Sequence, residues 1–474
     1  MTSGIFDDPL AIYREYIQNA VDELSRQNEV DGQVEITIDQ RQRRVSICDN
    51  GPGLTYQECL EDLVPISQSK KFLGRDRGFR GIGRLAGLAF AESVTFLTRA
   101  SAHTPVTRVA WSKAEHQNRS NPMRSKESDV HDWVRVEVLD DFDYPEHFFR
   151  VDLEKISRHA AGALLNREAV RGFIAETCPV PLAPDFPFCN EVWEIFPPQQ
   201  APYSLQITLD GEDQPIMRQY GSAIALADKK EDRFYEIEVV RVPSIDDKED
   251  AAVGWIAHSS YLGAIQKGSR VRGLRARLGN IQVGDERVFD HLFEEERFNR
   301  WCVGEVHVLD SRIVPNGRRD YFERGPHLRN LENHLAPIIS RIASRCRAAS
   351  TARNREKRLV SAIGDLEDMY ELAASGCLTS DAASAFVEKA LQQLAKTYHE
   401  LDSSGIEKGS IQRVCAIEEK LRTFTPNGKR FPVSGLSRLE EDAYRRVFRA
   451  IAELVPSARS AKEIMDSALR YAKS

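Results

Sequence analysis

Hydrophobic positions in the first 140 residues follow two different periods. One early segment has apolar residues at helical spacing and predicts an amphipathic helix from Pro9 to about Gln27, with Asp7 or Asp8 as its N-cap: Leu10, Tyr13, Ile17, Ala20, Val21 and Leu24. Alternation with period two then predicts strands at 34–38, 44–48, 94–97, 106–111 and 134–138. A helix followed by several strands indicates an α+β sandwich.

The later pattern divides the chain further. Residues 153–176 are predicted to be one helix, and the prolines of 179–202 break any continuing element, so the first domain is assigned to 1–190. Strand signals predict a second α+β domain over 200–333: Ile207, 237–240, 253–256 and 305–309, closing at 315–322.

Helix-forming residues dominate from residue 334 onward, with breaks at Gly376, 403–405 and 425–435. One segment there carries an apolar stripe at helical spacing: Phe386, Ala390, Leu391, Leu394, Tyr398 and Leu401. We therefore expect a helical C-terminal region over 334–474.

Composition adds three expectations. At 474 residues the chain should hold two to four domains, and a net charge of -7, from 65 Lys plus Arg against 72 Asp plus Glu, gives no global attraction to nucleic acid or acidic membranes. No stretch approaches ~18 apolar residues and the first residues are polar and acidic, so a cytoplasmic protein without a membrane partner is expected. Its eight cysteines form no C-x-x-C pair, which favours reduced thiols.

The first helix carries polar residues that could serve a nucleotide. Glu15, Asn19 and Asp22 stand at i, i+4 and i+7 and so share one stripe of the helix. A carboxylate there can orient an attacking water, and a carboxamide one turn on can complete a magnesium shell, because magnesium needs only one or two protein oxygens beside phosphate and water. The alternative is a solvated helix face.

An acidic turn follows the second predicted strand. Asp49 stands at the strand end, and Gly51 and Gly53 add little bulk behind it. The carboxylate can accept a hydrogen bond from an exocyclic amine such as that of adenine. A simple turn is the alternative, because Asp, Asn, Gly and Pro are ordinary turn residues.

A glycine-rich run precedes a predicted small-residue helix at 84–90. Gly78, Gly81, Ile82 and Gly83 belong to this run, whose exposed amides favour a polyphosphate. It fits neither the G-x-x-x-x-G-K-[ST] loop nor the dinucleotide G-x-G-x-x-G, which requires a strand immediately before it. The polar segment in between contains Ser67, Ser69, Lys70 and Lys71; Lys70 could neutralise phosphate on a mobile lid, with plain loop as the alternative.

E-x-x-x-N on the first helix, D-x-G-x-G after a strand and G-F-x-G-x-G before a helix, in this order, resemble the three boxes of the GHKL or Bergerat-fold ATPases. That superfamily includes the gyrase B subunit, the ninety-kilodalton heat-shock chaperone, histidine kinases and MutL. The run 78–99 is most similar to the chaperone branch. The resemblance is specific over 9–100 and weaker to about 190, and it implies a Bergerat-fold α/β sandwich that binds ATP with Mg²⁺.

The resemblance also implies roles for individual residues. It makes Glu15 the general base, Asn19 the magnesium ligand and Asp49 the residue that reads adenine. The nucleotide would be bound by Asn19, Asp22, Asp49, Gly51, Gly53, Lys70, Gly78, Gly81, Ile82 and Gly83. The family often has a threonine on a late strand near adenine, but none is assigned here because 132–136 reads D-W-V-R-V. A histidine kinase is disfavoured, since only 14 residues precede Glu15.

By the same resemblance the second domain is similar to the transducer of these ATPases, which sends one basic side chain to the terminal phosphate. Arg318 and Arg319 are the candidates, and Arg319 is favoured by its similarity to the chaperone's loop; a surface turn is the alternative. A second arginine group, with no acidic residue among its members, predicts either a basic ridge or a solvated strand: Arg270, Arg272, Arg275 and Arg277.

The favoured hypothesis is a Mg-ATP-hydrolysing, chaperone-like conformational machine that forms a homodimer through its helical tail and acts on a client protein. The alternative is an ATP-gated DNA clamp or anti-phage defence effector of the MutL or MORC type. It is motivated by a basic group that could also be a solvated helix face: Arg341, Arg345, Arg347, Arg353, Arg355, Lys357 and Arg358. A regulatory module that binds nucleotide without hydrolysis is a third hypothesis.

Overall fold

The computed structural model describes residues 8–26, 31–65, 83–112, 134–139, 143–246, 248–401, 408–426 and 431–471. The chain divides into two compact units, Met1–Cys346 and Arg347–Ser474. The first contains mixed sheets and helices and the second is helical, so the predicted α+β class with a helical C-terminal region is confirmed. The predicted boundaries at 1–190, 200–333 and 334–474 stay predictions.

The first helix forms as its apolar spacing predicts. Helix α1 covers Ala11–Arg26 and buries its apolar stripe, while Asp8 caps it by accepting a hydrogen bond from the Leu10 amide at 2.9 Å. The other helices that begin in the first unit are α2 (Tyr56–Asp62), α3 (Arg158–Leu164), α4 (Arg167–Thr177), α5 (Cys189–Glu194) and α6 (Pro326–Ala374). Short 3-10 helices cover Gly83–Ala89, Pro198–Gln200, Asp290–Leu292 and Glu296–Trp301.

Seven strands form the first sheet. They are β1 (Gln33–Asp39), β2 (Arg44–Asp49), β3 (Ser93–Arg99), β4 (Val106–Ser112), β5 (Val134–Leu139), β6 (Phe148–Glu154) and β7 (Gln206–Leu209), in the order β5-β4-β3-β6-β2-β1-β7. Helices α1, α3 and α4 pack their buried residues on one face of this sheet in a single hydrophobic core. The five strands predicted before residue 140 are all present.

Two sequence-based expectations for this sheet are wrong. The predicted helix at 153–176 begins with residues of β6 and is divided into α3 and α4, because Asn166 accepts a hydrogen bond from the Ala169 amide and starts a new helix. Ile207, expected in the second domain, lies in β7, which pairs in parallel with β1 at the edge of the first sheet. Both errors concern strands whose partners are distant in sequence.

The second sheet has five strands. They are β10 (Glu236–Pro243), β11 (Asp250–His258), β12 (Gly273–Leu278), β13 (Ile281–Val283) and β14 (Val303–Val308), in the order β10-β11-β14-β12-β13. A separate hairpin is formed by β8 (Ala223–Ala225) and β9 (Glu231–Arg233). The segments predicted at 237–240 and 253–256 lie within β10 and β11, and 305–308 of the segment predicted at 305–309 lies within β14.

Two of the four arginines in the predicted basic group, Arg275 and Arg277 of β12, are buried, which corrects for them the expectation of a basic ridge or a solvated strand; Arg270 is exposed and Arg272 is half-buried. Arg275 and Arg277 are 1% and 0% exposed. Arg275 Nη1 donates to Glu176 Oε1 at 2.5 Å, and Arg277 Nε donates to Glu305 Oε1 at 2.6 Å. These acidic partners come from α4 and β14, which are distant in sequence. The lack of acidic residues next to the arginines in the sequence therefore did not show that they would be exposed.

Glu305 is the centre of this buried group. Its carboxylate accepts hydrogen bonds from Arg277, from Arg218 Nη1 at 3.1 Å and from Tyr220 Oη at 2.7 Å, and His307 Nε2 lies 3.0 Å away. Burial by itself raises the pKa of Glu305, but Arg218, Arg277 and His307 together outweigh burial and hold the pKa well below its usual range. Glu305 is therefore ionised within this group.

Replacing Glu305 by Gln should destabilise the protein by about 3–5 kcal/mol, because two buried guanidinium groups lose their counter-charge. Urea unfolding at pH 7 measures this. Since the pKa of Glu305 is depressed in the folded state, its contribution should be present above the unfolded value of about 4.3 and should decline as the pH falls below it. Glu231→Gln, a change at an exposed glutamate of β9, is the control; an equal effect of both changes would contradict the role of the network.

The second unit is a helical assembly. It contains the rest of α6 together with α7 (Ser380–Leu401), α8 (Lys408–Arg422), α9 (Arg438–Leu454) and α10 (Ala458–Tyr471), around one hydrophobic core. Four residues of the predicted apolar stripe contribute to this core: Phe386, Ala390, Leu391 and Leu394. Among the described residues, none of the helices has the length and apolar character needed to cross a membrane.

Candidate functional site

Glu15, Asn19 and Asp22 lie on α1 where it meets the 3-10 helix Gly83–Ala89. The Glu15 side chain is 15% exposed, Asn19 is half-buried and Asp22 is buried. A Cβ placed on Gly83 would lie only 2.7 Å from Glu15 Oε2. Glycine at position 83 therefore lets the carboxylate lie close against the backbone, and the structure brings together the first motif and the last glycine of the third.

Two arginines flank Glu15. Arg14 Nε lies 3.7 Å from Glu15 Oε1, and Arg319 Nε lies 3.9 Å from the same oxygen. Arg319 comes from the loop after β14, more than 300 residues away in sequence, and its side chain is 11% exposed. Arg318 beside it is exposed. The structure thus places Arg319, and not Arg318, against the candidate base.

The charge of Arg319 is held in a mostly buried place. Burial lowers the pKa of its guanidinium, Glu15 raises that pKa, Arg14 lowers it and Asp22 raises it. Its backbone has φ +58, a left-handed conformation that is costly for a residue with a side chain. The contacts around the loop must therefore hold Arg319 in this conformation.

Asp49 ends β2 and turns toward the glycines that follow it. Its Oδ1 accepts a hydrogen bond from the Gly51 amide at 2.9 Å. Burial raises the pKa of Asp49 to about 7; the Gly51 amide acts in the opposite direction and Glu23 adds to the rise. Gly53 has φ +64, and a Cβ there would lie 2.0 Å from the Arg99 carbonyl oxygen, so this turn requires glycine.

Sequence reasoning missed two side chains that support these motifs. His147 Nδ1 lies 2.9 Å from the Gly51 carbonyl oxygen, a distance suited to donation from the Nδ1–H tautomer. Tyr16 Oη donates to the Arg84 carbonyl and accepts from the Gly87 amide, both at 3.0 Å. Their local sequence carries no signal for these contacts, because pairing of β6 with β2 and packing of α1 create them.

Other predicted residues cannot be placed. Lys70, Gly78, Gly81 and Ile82 lie outside the described residues, so their assignment to the nucleotide stays a prediction. The segment after the glycine run is a 3-10 helix of seven residues rather than an α-helix. Its short length weakens the expected contribution of a helix dipole to phosphate binding.

The side chains beside Glu15 are compatible with magnesium. In the described part of the chain, no three His, Cys, Asp or Glu side chains converge as a ready-made metal cluster. Magnesium on a nucleotide requires only one or two protein oxygens beside phosphate and water. Asn19 has such an oxygen one turn from Glu15 on α1.

The chain is similar to known proteins over its first part. Residues 11–143 match the family model described as "Histidine kinase-, DNA gyrase B-, and HSP90-like ATPase". Similar relatives include the proteins named "Chaperone protein HtpG" from Escherichia coli strain K12 and from Escherichia coli O157:H7. Each is 30% identical over 138 residues, a match that covers 24% of this chain and 22% of the relative. The chain thus spans about a fifth of the length of these relatives, and the resemblance to the GHKL ATPases near their HSP90-like branch is confirmed.

Proposed function

We propose, from its resemblance over residues 11–143 to the GHKL ATPases near the HSP90-like branch, that this chain is a chaperone-like conformational machine that binds and hydrolyses Mg-ATP. One observation carries the proposal. Glu15 of the ATPase motif stands 3.9 Å from Arg319 Nε, a cation contributed by the loop that follows the second sheet. A nucleotide held between them would be read by two parts of the first unit.

In this mechanism each side chain has one task. Glu15 orients a water molecule and accepts its proton, and Arg319 stabilises the negative charge that develops on the terminal phosphate. Asp49 accepts a hydrogen bond from the adenine amine, and Asn19 would hold magnesium through its side-chain oxygen. Magnesium itself neutralises phosphate charge when bound.

The mechanism links hydrolysis to a change of shape. Arg319 binds phosphate only while its loop lies against α1, so loss of the terminal phosphate removes an attraction between the first helix and the second sheet. Such a cycle is suited to work on a client protein.

We further propose that the protein is a cytoplasmic homodimer. We do not favour the DNA-clamp alternative, because two residues of its basic group are engaged within the first unit: Arg341 pairs with Glu238, and Arg345 Nη1 lies 3.3 Å from His258 Nε2.

An aggregation assay with coupled turnover tests this function. Purified protein should hydrolyse ATP when magnesium is present, and it should reduce the thermal aggregation of a model client such as citrate synthase more strongly with ATP than with ADP. Measured turnover without any nucleotide-dependent effect on aggregation would remove the chaperone-like part. Binding of ATP without turnover would instead favour the regulatory module.

Adenosine affinity should depend on pH through Asp49. Because the pKa of Asp49 is about 7 in the free protein, the carboxylate that accepts from adenine is mostly present at pH 8 and falls to about a tenth of the molecules at pH 6. Affinity should therefore fall about tenfold from pH 8 to pH 6. Calorimetry with adenosine measures this without interference from phosphate ionisation.

Asp49→Asn is the matched variant for that titration. It should bind adenosine weakly at every pH, because its amide has one acceptor oxygen and no charge, and its affinity should not change between pH 6 and pH 8. An unchanged pH dependence in Asp49→Asn would mean that another group reads the base.

A further inference from the structure

A chain of hydrogen bonds in the second sheet leads to Arg319. It begins at Arg275 on β12, whose Nη1 donates both to Glu176 Oε1 of α4 and to Gln282 Oε1 of β13, at 2.5 and 2.8 Å. Arg275 is 1% exposed and Gln282 is 2% exposed. The first link therefore connects helix α4 of the first core with β13, an edge strand of the second sheet, away from water.

The second link runs from Gln282 to the Arg319 loop. Gln282 Nε2 donates to the Gly284 carbonyl at 3.1 Å, and the Gly284 amide donates to the Arg319 carbonyl at 2.8 Å. Gly284 has φ +71, and a Cβ there would lie 2.7 Å from the Asp320 carbonyl oxygen. The glycine thus lets β13 and the loop approach so closely that their backbones bond directly.

This contact acts on a residue whose backbone conformation is costly. Arg319 holds φ +58 and donates its amide to the Asn316 carbonyl at 3.1 Å. A left-handed arginine persists only where its surroundings hold it, and the bond from Gly284 to its carbonyl is such a restraint. The side-chain amide of Gln282 is engaged at both atoms: its oxygen accepts from Arg275, and its nitrogen donates to the Gly284 carbonyl. The buried Arg275 therefore sets the orientation of this amide.

We infer that Arg275 and Gln282 are positioning residues that hold the Arg319 loop against Glu15. This inference rests on the proposed function, since it names the groups that keep Arg319 at the site. It also assigns a task to Arg275, one of the two buried arginines of β12, which the family resemblance leaves without one. Through Glu176, this chain of hydrogen bonds makes the placement of Arg319 depend on α4 of the first core.

A double-mutant cycle on turnover tests the inference. Gln282→Leu keeps the size of the side chain but removes both hydrogen bonds, and it should lower kcat by about ten- to a hundredfold through misplacement of Arg319, with KM little changed. In the Arg319→Ala background the same change should have almost no further effect on kcat, because the group it positions is gone. A merely structural loss would lower kcat by the same factor in both backgrounds and would overturn the inference.

Two further variants separate the links. Gln282→Glu retains the acceptor for Arg275 but cannot donate to Gly284, so it should resemble Gln282→Leu if the second link matters. Gln266→Leu changes an exposed glutamine of the same unit and should leave kcat unchanged. If Arg319→Ala itself does not slow turnover, the proposed role of Arg319 fails; if it does and Gln282→Leu does not, the positioning inference alone fails.

Hydrogen exchange provides a measurement that does not require turnover. In Gln282→Leu the amides of 316–322 and of Gly284 should exchange faster than in the unchanged protein, while those of α1 should not. Unaltered exchange in 316–322 would overturn the inference even for a protein that hydrolyses no ATP.

Discussion

Glu15→Ala is expected to lower ATP turnover by about 10²–10⁴-fold, because the change removes the general base. ATP binding should be retained, since the residues proposed to bind adenine and magnesium are unchanged. The side chain lies against Gly83, where a Cβ would stand only 2.7 Å from Glu15 Oε2. Turnover is followed by phosphate release at saturating Mg-ATP. Affinity is measured separately by calorimetry with a non-hydrolysable ATP analogue.

Two controls accompany that measurement. Glu92→Ala removes an exposed carboxylate that pairs with Lys155 at 3.2 Å, and it should leave turnover unchanged. Glu15→Gln keeps the shape of the side chain without its basicity and should be nearly as slow as Glu15→Ala. Equal turnover in wild type and Glu15→Ala would assign the base to another residue.

Arg319→Ala is expected to lower kcat by about 10³-fold or more, because a cation that stabilises the transferring phosphoryl group is worth 10³–10⁵ in related chemistry. The effect should appear mainly in kcat, since the interaction strengthens as negative charge develops. Lys at this position should recover only part of the rate, because an ammonium group cannot reproduce the planar fork of donors.

Arg318→Ala is the matched control for this change. It removes the same charge one residue earlier, from an exposed side chain, and should alter turnover less than about twofold. A greater loss in Arg318→Ala than in Arg319→Ala would reverse the assignment. Arg319 also lies close to Glu15, so Arg319→Ala should change thermal stability modestly. This change does not affect the comparison of kcat values, because both variants are assayed in the folded state.

Much of the fold could be predicted where local pattern and tertiary contact agree. Helix α1 and strands β1 to β5 follow from apolar spacing, because each buries one face in the core that its own pattern defines. The prediction failed at β6 and β7. These strands pair with β2 and β1 across long sequence separations, and the short runs that encode them do not differ enough from helix or loop.

The candidate site divides in the same way. Glu15, Asn19, Asp49 and Gly83 stand within short motifs, so residue type and spacing suggested them without knowledge of the fold. Tyr16 and His147 carried no such signal, since their contacts with Arg84, Gly87 and Gly51 depend on how α1 and β6 pack.

The sequence by itself determined the α+β class, the three motifs in their order and their resemblance to the GHKL ATPases, because each of these depends on residue types and on their spacing along the chain. Only the tertiary structure decided which arginine stands against Glu15 and what holds it there. Those contacts join α1, β12, β13 and the loop after β14, whose members are up to about 300 residues apart. Local periodicity contains no information about such distant partners. They are fixed in the folded protein, where the buried Arg275 and Gln282 form hydrogen bonds with groups from other elements.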